Sequence, residues 1–145
     1  VTEILPPTPL QEGMFFHSRF DRDGVDVYLV QVALELSGPL DPARLRAAGE
    51  ALLTRHANLR CGFRQRRDGG VVQVVADDVT LPWTELTAES AAEWERLLDA
   101  DRAVRFDPAK PPLLRLTLVR QAPQRHRLLL THHHILLDGW SMPLL

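Results

Sequence analysis

The segment Thr131-His132-His133-His134-Ile135-Leu136-Leu137-Asp138-Gly139-Trp140-Ser141 puts three imidazoles and a carboxylate just after an apolar run, Leu128-Leu129-Leu130. Consecutive side chains on a strand point to opposite faces, so His132 and His134 are expected to share one face and His133 to take the other. Only one of those faces can line a given cleft. A buried imidazole needs a partner for a ring nitrogen, and Asp138 or a backbone group is available for that purpose. Gly139 permits a sharp turn or a close approach of backbone to ligand. Three chemistries compete for these residues. The histidines can be satisfied structural residues, with Asp138 capping a following helix and Gly139 only turning the chain. His132 and His134 can converge on a metal ion with a carboxylate as third ligand, although the spacing matches no zinc signature. One imidazole can instead act as acid, base or positioning group in an acyl-transfer cleft. The stretch alone does not choose among them.

Several elements must position this segment. Arg127 to His133 and Leu113 to Arg120 both have strand character, and the joining stretch Gln121 to Arg125 predicts an antiparallel hairpin. From Tyr28 to Leu36 the apolar residues Tyr28, Val30, Val32, Leu34 and Leu36 alternate with Gln31 and Glu35, the pattern of a strand buried on one side. Thr8-Pro9-Leu10-Gln11 combines a capping hydroxyl, Pro at the first helical position and Gln three residues after the cap. A helix is expected from there toward Phe20, with Leu10, Met14 and His17 on one face. Asp41-Pro42 opens a second helix, with Leu45, Ala48, Leu52 and Leu53 at helical spacing through about Ala57. A strand from Leu59 to Gln65, the turn Asp68-Gly69-Gly70 and a strand from Val71 to Val75 make a hairpin. Ser90-Ala91-Ala92-Glu93 forms a capping box for a helix bearing Trp94, Leu97 and Leu98, with Thr87 as the alternative cap. The order α, β, α, β, β, α, β, β without a long linker predicts one α/β lobe, an α+β layered sheet with helices packed on it.

Composition narrows the function classes. Among 145 residues, 17 Lys plus Arg face 19 Asp plus Glu, a formal charge of -2, so there is no basic excess to attract nucleic acid or anionic lipid. No run approaches the roughly 18–20 apolar residues of a spanning helix, and Val1-Thr2-Glu3 lacks the layout of a signal peptide. The one cysteine, Cys61, closes no intrachain disulfide, in keeping with a reducing compartment. A cytoplasmic protein is the expectation.

His133-His134-Ile135-Leu136-Leu137-Asp138-Gly139 fits an HHxxxDG pattern followed by Trp140-Ser141. Leu5-Pro6-Pro7-Thr8-Pro9-Leu10-Gln11-Glu12-Gly13-Met14 with His17 looks like an opening motif, and Arg55-His56-Ala57-Asn58-Leu59-Arg60-Cys61-Gly62-Phe63 is similar to RHxxLRxxF. Three motifs in this order resemble the condensation domains of nonribosomal peptide synthetases over essentially the whole chain. Pro7, where leucine is common, and Cys61, where a small residue or threonine is common, are the departures.

The resemblance implies a chloramphenicol-acetyltransferase-like fold in which two lobes flank a tunnel. Residues 1–145 would be the N-terminal lobe of a condensation domain, with the C-terminal lobe absent. It implies peptide-bond formation between a carrier-bound donor thioester and a carrier-bound aminoacyl acceptor, as in antibiotic biosynthesis. By that resemblance His134 is the catalytic imidazole, as base or as positioning group. His133 shapes the loop, and Gly139 offers its N–H near the developing oxyanion or serves only the turn. Asp138 is structural, with Arg60, or else Arg55, to neutralise it. No metal and no bound cofactor are expected; 4'-phosphopantetheine arms arrive on upstream and downstream carrier domains. An isolated lobe is expected to be inactive. The wording of the first and last motifs looks like the subtype that accepts a D-configured donor. The rivals are an epimerisation domain, against which the opening motif argues, and a catalytically silent recruitment or interaction platform of the same fold, against which intact His133, His134, Asp138 and Gly139 argue. His17 and Arg55 are expected to be scaffold, Cys61 a buried small side chain, and Arg64, Arg66 and Arg67 a solvated turn flank available for carrier contact. His56 and His126 have no assigned function.

Overall fold

In the computed structural model, which describes residues 3–20 and 26–136, the first helix starts on a reciprocal cap. The Gln11 N–H donates to Thr8 Oγ1 at 3.2 Å and the Thr8 N–H donates to Gln11 Oε1 at 2.9 Å, opening α1 (Pro9–Phe20). Its buried stripe is Met14, Phe15 and Ser18, which corrects the expected Leu10, Met14 and His17 face; Leu10 is 66% exposed. In α2 (Pro42–Arg55) the Asp41 carboxylate accepts the Ala43 and Arg44 amides, and Pro42 occupies the first turn where its missing N–H costs nothing. This helix lies so close to its neighbours that a Cβ at Gly49 would meet Leu81 Cδ2 at 2.8 Å and Leu116 Cδ1 at 3.1 Å. It stops before Ala57, because residues Ala57–Arg60 tighten into a 3-10 turn; the following strand therefore begins at Cys61 and not at Leu59. Ser90, not Thr87, caps α3 (Ala91–Arg102), its Oγ accepting the Glu93 amide at 3.1 Å.

Two sheets form where one was expected. β2 (Leu29–Ser37), β7 (Arg125–His133), β6 (Leu114–Ala122) and β5 (Trp83–Thr87) make a four-stranded sheet in that spatial order. β1 (Glu3–Leu5), β4 (Val71–Val75) and β3 (Cys61–Gln65) make a three-stranded one. The β3–β4 and β6–β7 hairpins are antiparallel as predicted. The second is longer than expected, since both strands extend into the predicted connection and leave a tight turn with a register shift between Arg120 and Ala122. β1 and β5 were not anticipated. β1 is three residues beside prolines, and β5 is an exposed edge strand paired parallel to β6 through the α3 crossover, so neither carries clear apolar alternation. β2 forms close to the expected range, but its burial does not alternate: it is also an edge, none of its residues is buried, Gln31 is half-buried like Val30 and Val32, and Leu34 is 53% exposed.

The main core lies where the two sheets meet α1 and α2, with Phe15, Leu53, Phe63, Leu113 and Ile135 among its buried members. A smaller cluster of Ala88, Trp94, Val119 and Leu129 sits under α3. Because side chains alternate along β7, Leu129 serves the second cluster while Leu130 packs on the first.

Candidate active site

One carboxylate of α3 aligns the strands just below the histidines. Gln31, Thr131 and Arg115 stand opposite one another on β2, β7 and β6. All three donate to Asp101, Gln31 Nε2 and Arg115 Nε each at 2.8 Å and Thr131 Oγ1 to Oδ2. Burial alone would raise the Asp101 carboxyl, but these hydrogen bonds from Arg115, Thr131 and Gln31 outweigh it and hold the group below the usual carboxylate range.

The next residues up β7 are the histidines. His132 and His133 sit on opposite faces and both are essentially sealed, at 1% and 0% exposure. Strand character ends at His133, so His134 lies in the following turn, partly exposed, and the expected pairing of His132 and His134 along a continuing strand does not arise. The backbone of His134 is nevertheless anchored, its N–H donating to Tyr28 O at 2.7 Å, and the Leu136 N–H closes the turn on His133 O at 3.0 Å. The Gln11 side chain, whose oxygen caps α1, donates through Nε2 to Ile135 O at 3.1 Å.

His133 is the ring that fixes this turn. Its Nδ1 accepts the Ile135 amide at 3.0 Å and is therefore unprotonated, which puts the proton of the neutral ring on Nε2. Nε2 lies 3.0 Å from Ser18 Oγ and 3.2 Å from Asp26 Oδ2. Burial is the main reason the imidazole is held below its ordinary value; the Asp26 carboxylate opposes that effect, and the neighbouring His132 and His134 add to it. Asp26, itself buried, also accepts the Tyr28 amide at 3.0 Å and faces Arg105 Nη2 at 3.6 Å. Ser, His and Asp here do not form a hydrolytic triad, which needs the hydroxyl and the carboxylate on different ring nitrogens. Both sit on Nε2, and all three residues are buried. They are a clasp between α1, the start of β2 and the end of β7.

His132 is also held below its ordinary value, chiefly by burial; its Nδ1–H donates to His133 O at 3.1 Å, leaving Nε2 without a partner among the described residues. His134 Nδ1 is likewise buried and unpartnered among the described residues. The Tyr28 side chain borders His133 and His17: its ring centroid is 6.0 Å from that of His133, and its hydroxyl lies 2.9 Å from His17 Nδ1. His17, expected as scaffold beside Met14, is turned to Tyr28.

Asp138 and Gly139 lie outside the described residues, as do Trp140 and Ser141. Arg60 is the expected counter-ion of Asp138, which lies outside the described residues; within them its Nη1 donates to Leu53 O at 2.7 Å and Thr54 O at 2.9 Å, and Nε to Ala76 O at 3.0 Å. It caps the carbonyl end of α2 and ties it to the end of β4. The sequence reading did not single out Ser18, Asp26 and Arg105, and it took Tyr28 only as a strand residue. Nothing local marks them, since Ser18, Asp26 and Tyr28 reach His133 across more than a hundred residues of chain. No group of three or more His, Cys, Asp or Glu side chains among the described residues is arranged to hold a metal ion, and no described helix is long and apolar enough to cross a membrane.

Comparison with known proteins agrees with the motifs. The family model for the condensation domain matches residues 1–145. The chain is 41% identical over 150 residues to a linear gramicidin synthase of Brevibacillus parabrevis, covering 99% of this chain and 3% of that protein. It therefore spans only a small part of that curated relative. Among solved structures it is similar to a four-domain nonribosomal peptide synthetase bound to AMP and glycine, with a TM-score of 0.89 and 22% identity, covering 99% of this chain and 11% of that one. It is also similar to the first condensation domain of the calcium-dependent antibiotic synthetase in complex with a substrate analogue, with a TM-score of 0.85 and 26% identity, covering 99% of this chain and 35% of that one. With the opening motif capping α1, the RHxxLRxxF segment joining α2 to β3 and the histidine motif closing β7, this chain belongs to the condensation-domain family of nonribosomal peptide synthetases.

Proposed function

We propose that the chain is the N-terminal lobe of a condensation domain and that its His134 serves peptide-bond formation between two carrier-bound thioesters. The observation that carries this reading is the contrast within the histidine run: His132 and His133 are sealed, whereas His134 is partly exposed on a turn whose backbone is fixed on both sides. The coverage of about a third of an isolated condensation domain supports the lobe assignment. In the reaction the acceptor amine attacks the donor thioester carbonyl, the C–N bond forms, the C–S bond breaks, and the amine proton ends on the departing thiolate. His134 orients the amine and accepts a hydrogen bond from it. A free α-amine has a pKa of about 7.7–8.0, so part of it is already neutral near pH 7 and orientation is the larger need. Asp138 keeps its proposed structural role and Gly139 its place near the oxyanion. The carriers upstream and downstream present the arms, and a donor ending in a D-residue is the proposed subtype.

The test is dipeptide formation by the intact synthetase with His134→Ala. Product should be lost while the domain stays folded, as judged by an unchanged melting temperature. Undiminished product would instead identify a recruitment platform.

A further inference from the structure

Gln11 stands third in α1, where the reciprocal cap with Thr8 admits either Glu or Gln, since only a side-chain oxygen is required there. That oxygen is committed. The Thr8 N–H can only donate, so Oε1 accepts it, and the amide is thereby turned with Nε2 toward the end of β7. Nε2 donates to Ile135 O at 3.1 Å, across 124 residues of chain. A glutamate carboxylate would satisfy the first bond and not the second, because it has no hydrogen to give. The cap leaves the choice between Glu and Gln open, and the bond to Ile135 closes it. The Ile135 carbonyl belongs to the peptide that closes the histidine turn. That turn runs from His133 to Leu136, with His134 and Ile135 at its two corners, and its closing bond is Leu136 N–H to His133 O at 3.0 Å. The Ile135 carbonyl and the Leu136 N–H are two ends of one planar unit, so holding the first sets the direction of the second. The neighbouring amides have their own partners, His134 N–H on Tyr28 O at 2.7 Å and Ile135 N–H on His133 Nδ1 at 3.0 Å. Gln11 adds a hold on the last peptide of the turn, from a helix outside it. Ile135 is buried, so a carbonyl there that loses this donor has little water to turn to.

We infer that Gln11 is a positioning residue for peptide-bond formation: by gripping the Ile135 carbonyl it keeps the turn closed with His134 at its first corner. The opening motif thereby acts on the reaction through the histidine motif, without touching substrate. The inference rests on the role proposed for His134. Misplacing a reacting group by about 1 Å can cost about a hundredfold in rate, so a bond that adds little to overall stability is able to matter greatly to the chemical step.

The intact synthetase, its acceptor carrier left unloaded, is assayed with a soluble aminoacyl pantetheine thioester as acceptor. Gln11→Glu keeps the cap and removes the donor. Thr8→Ala does the reverse, giving up the capping hydroxyl while the Gln11 amide still reaches Ile135. Gln11→Glu should lower kcat about ten- to hundredfold with the acceptor KM within about twofold of native, since a geometric fault at His134 acts on the chemical step. Its melting temperature should be no lower than that of Thr8→Ala, which should melt below the native protein for want of its cap and yet keep kcat within about twofold. Hydrogen exchange on the peptide covering residues 131–136 should quicken at Leu136 in Gln11→Glu and stay native in Thr8→Ala. Rates that fall in step with melting temperature across the two variants, or unchanged kcat or unchanged exchange in Gln11→Glu, overturn the inference. His134→Ala in the same assay separates its failure from that of the catalytic reading. Product lost there but fully retained by Gln11→Glu removes Gln11 alone, whereas full product from His134→Ala removes both.

Discussion

Replacing Asp26 by Asn exchanges a carboxylate oxygen for an amide nitrogen inside the clasp that holds the histidine turn. The native carboxylate accepts the Tyr28 amide at 3.0 Å and faces His133 Nε2 at 3.2 Å and Arg105 Nη2 at 3.6 Å. Asn keeps one carbonyl, enough for Tyr28, but turns a donor toward two donors and removes the charge opposite Arg105. A charge-assisted hydrogen bond contributes about 1.5–3 kcal/mol, and breaking a buried pair costs about 3–5 kcal/mol. The contacts are longer than the roughly 2.7–2.9 Å of the strongest pairs, so a loss of about 2–4 kcal/mol is expected. That is a melting shift of roughly 5–15 °C for a chain of this size, within the stability of an ordinary domain. Urea denaturation of the complete condensation domain should show a lower midpoint at unchanged slope. Amide exchange of His134 should quicken, because Asp26 sets the start of β2 and hence the Tyr28 carbonyl to which that amide donates. His133 should fall further below its ordinary value by NMR titration, since the influence opposing burial is gone. A double-mutant cycle with His133→Gln should return a coupling of about 1 kcal/mol or more. A stability change under about 0.5 kcal/mol, or strict additivity in the cycle, would refute the clasp.

Acid should weaken the fold in two stages. His132 and His133 are held below the ordinary 6.5, chiefly by burial, so the unfolded chain takes up protons first and stability declines as pH drops below about 6.5. Asp101 is held below its ordinary 3.8, so its contribution is complete above about pH 4 and is lost as pH falls through the lower folded value. Urea midpoints across pH should show both stages in the native chain, and Asp101→Asn should remove only the second. Cys61 is 1% exposed and its thiol is pushed up by burial, so it should resist alkylation at pH 8 until the protein unfolds. Rapid labelling of the native protein would contradict its place in the core.

Local pattern determined much of this protein. The Thr8–Gln11, Asp41 and Ser90 caps are short-range hydrogen bonds between residues two or three apart, so sequence specifies them directly. The two hairpins follow from turn residues between apolar runs, and the three motifs identify the family. Edge strands such as β1 and β5 left little trace, because a strand exposed on one side and paired at one edge needs no strong alternation. The buried face of α1 was misjudged for a related reason: which stripe is covered depends on what packs against it. Above all, tertiary structure decided the roles within the histidine run. Sequence supplied three imidazoles of equal chemistry. Only the meeting of α1, β2 and β7 seals His132 and His133, ties His133 to Ser18 and Asp26, and leaves His134 on a fixed, partly open turn, because burial and charge at each ring are set by groups far away along the chain.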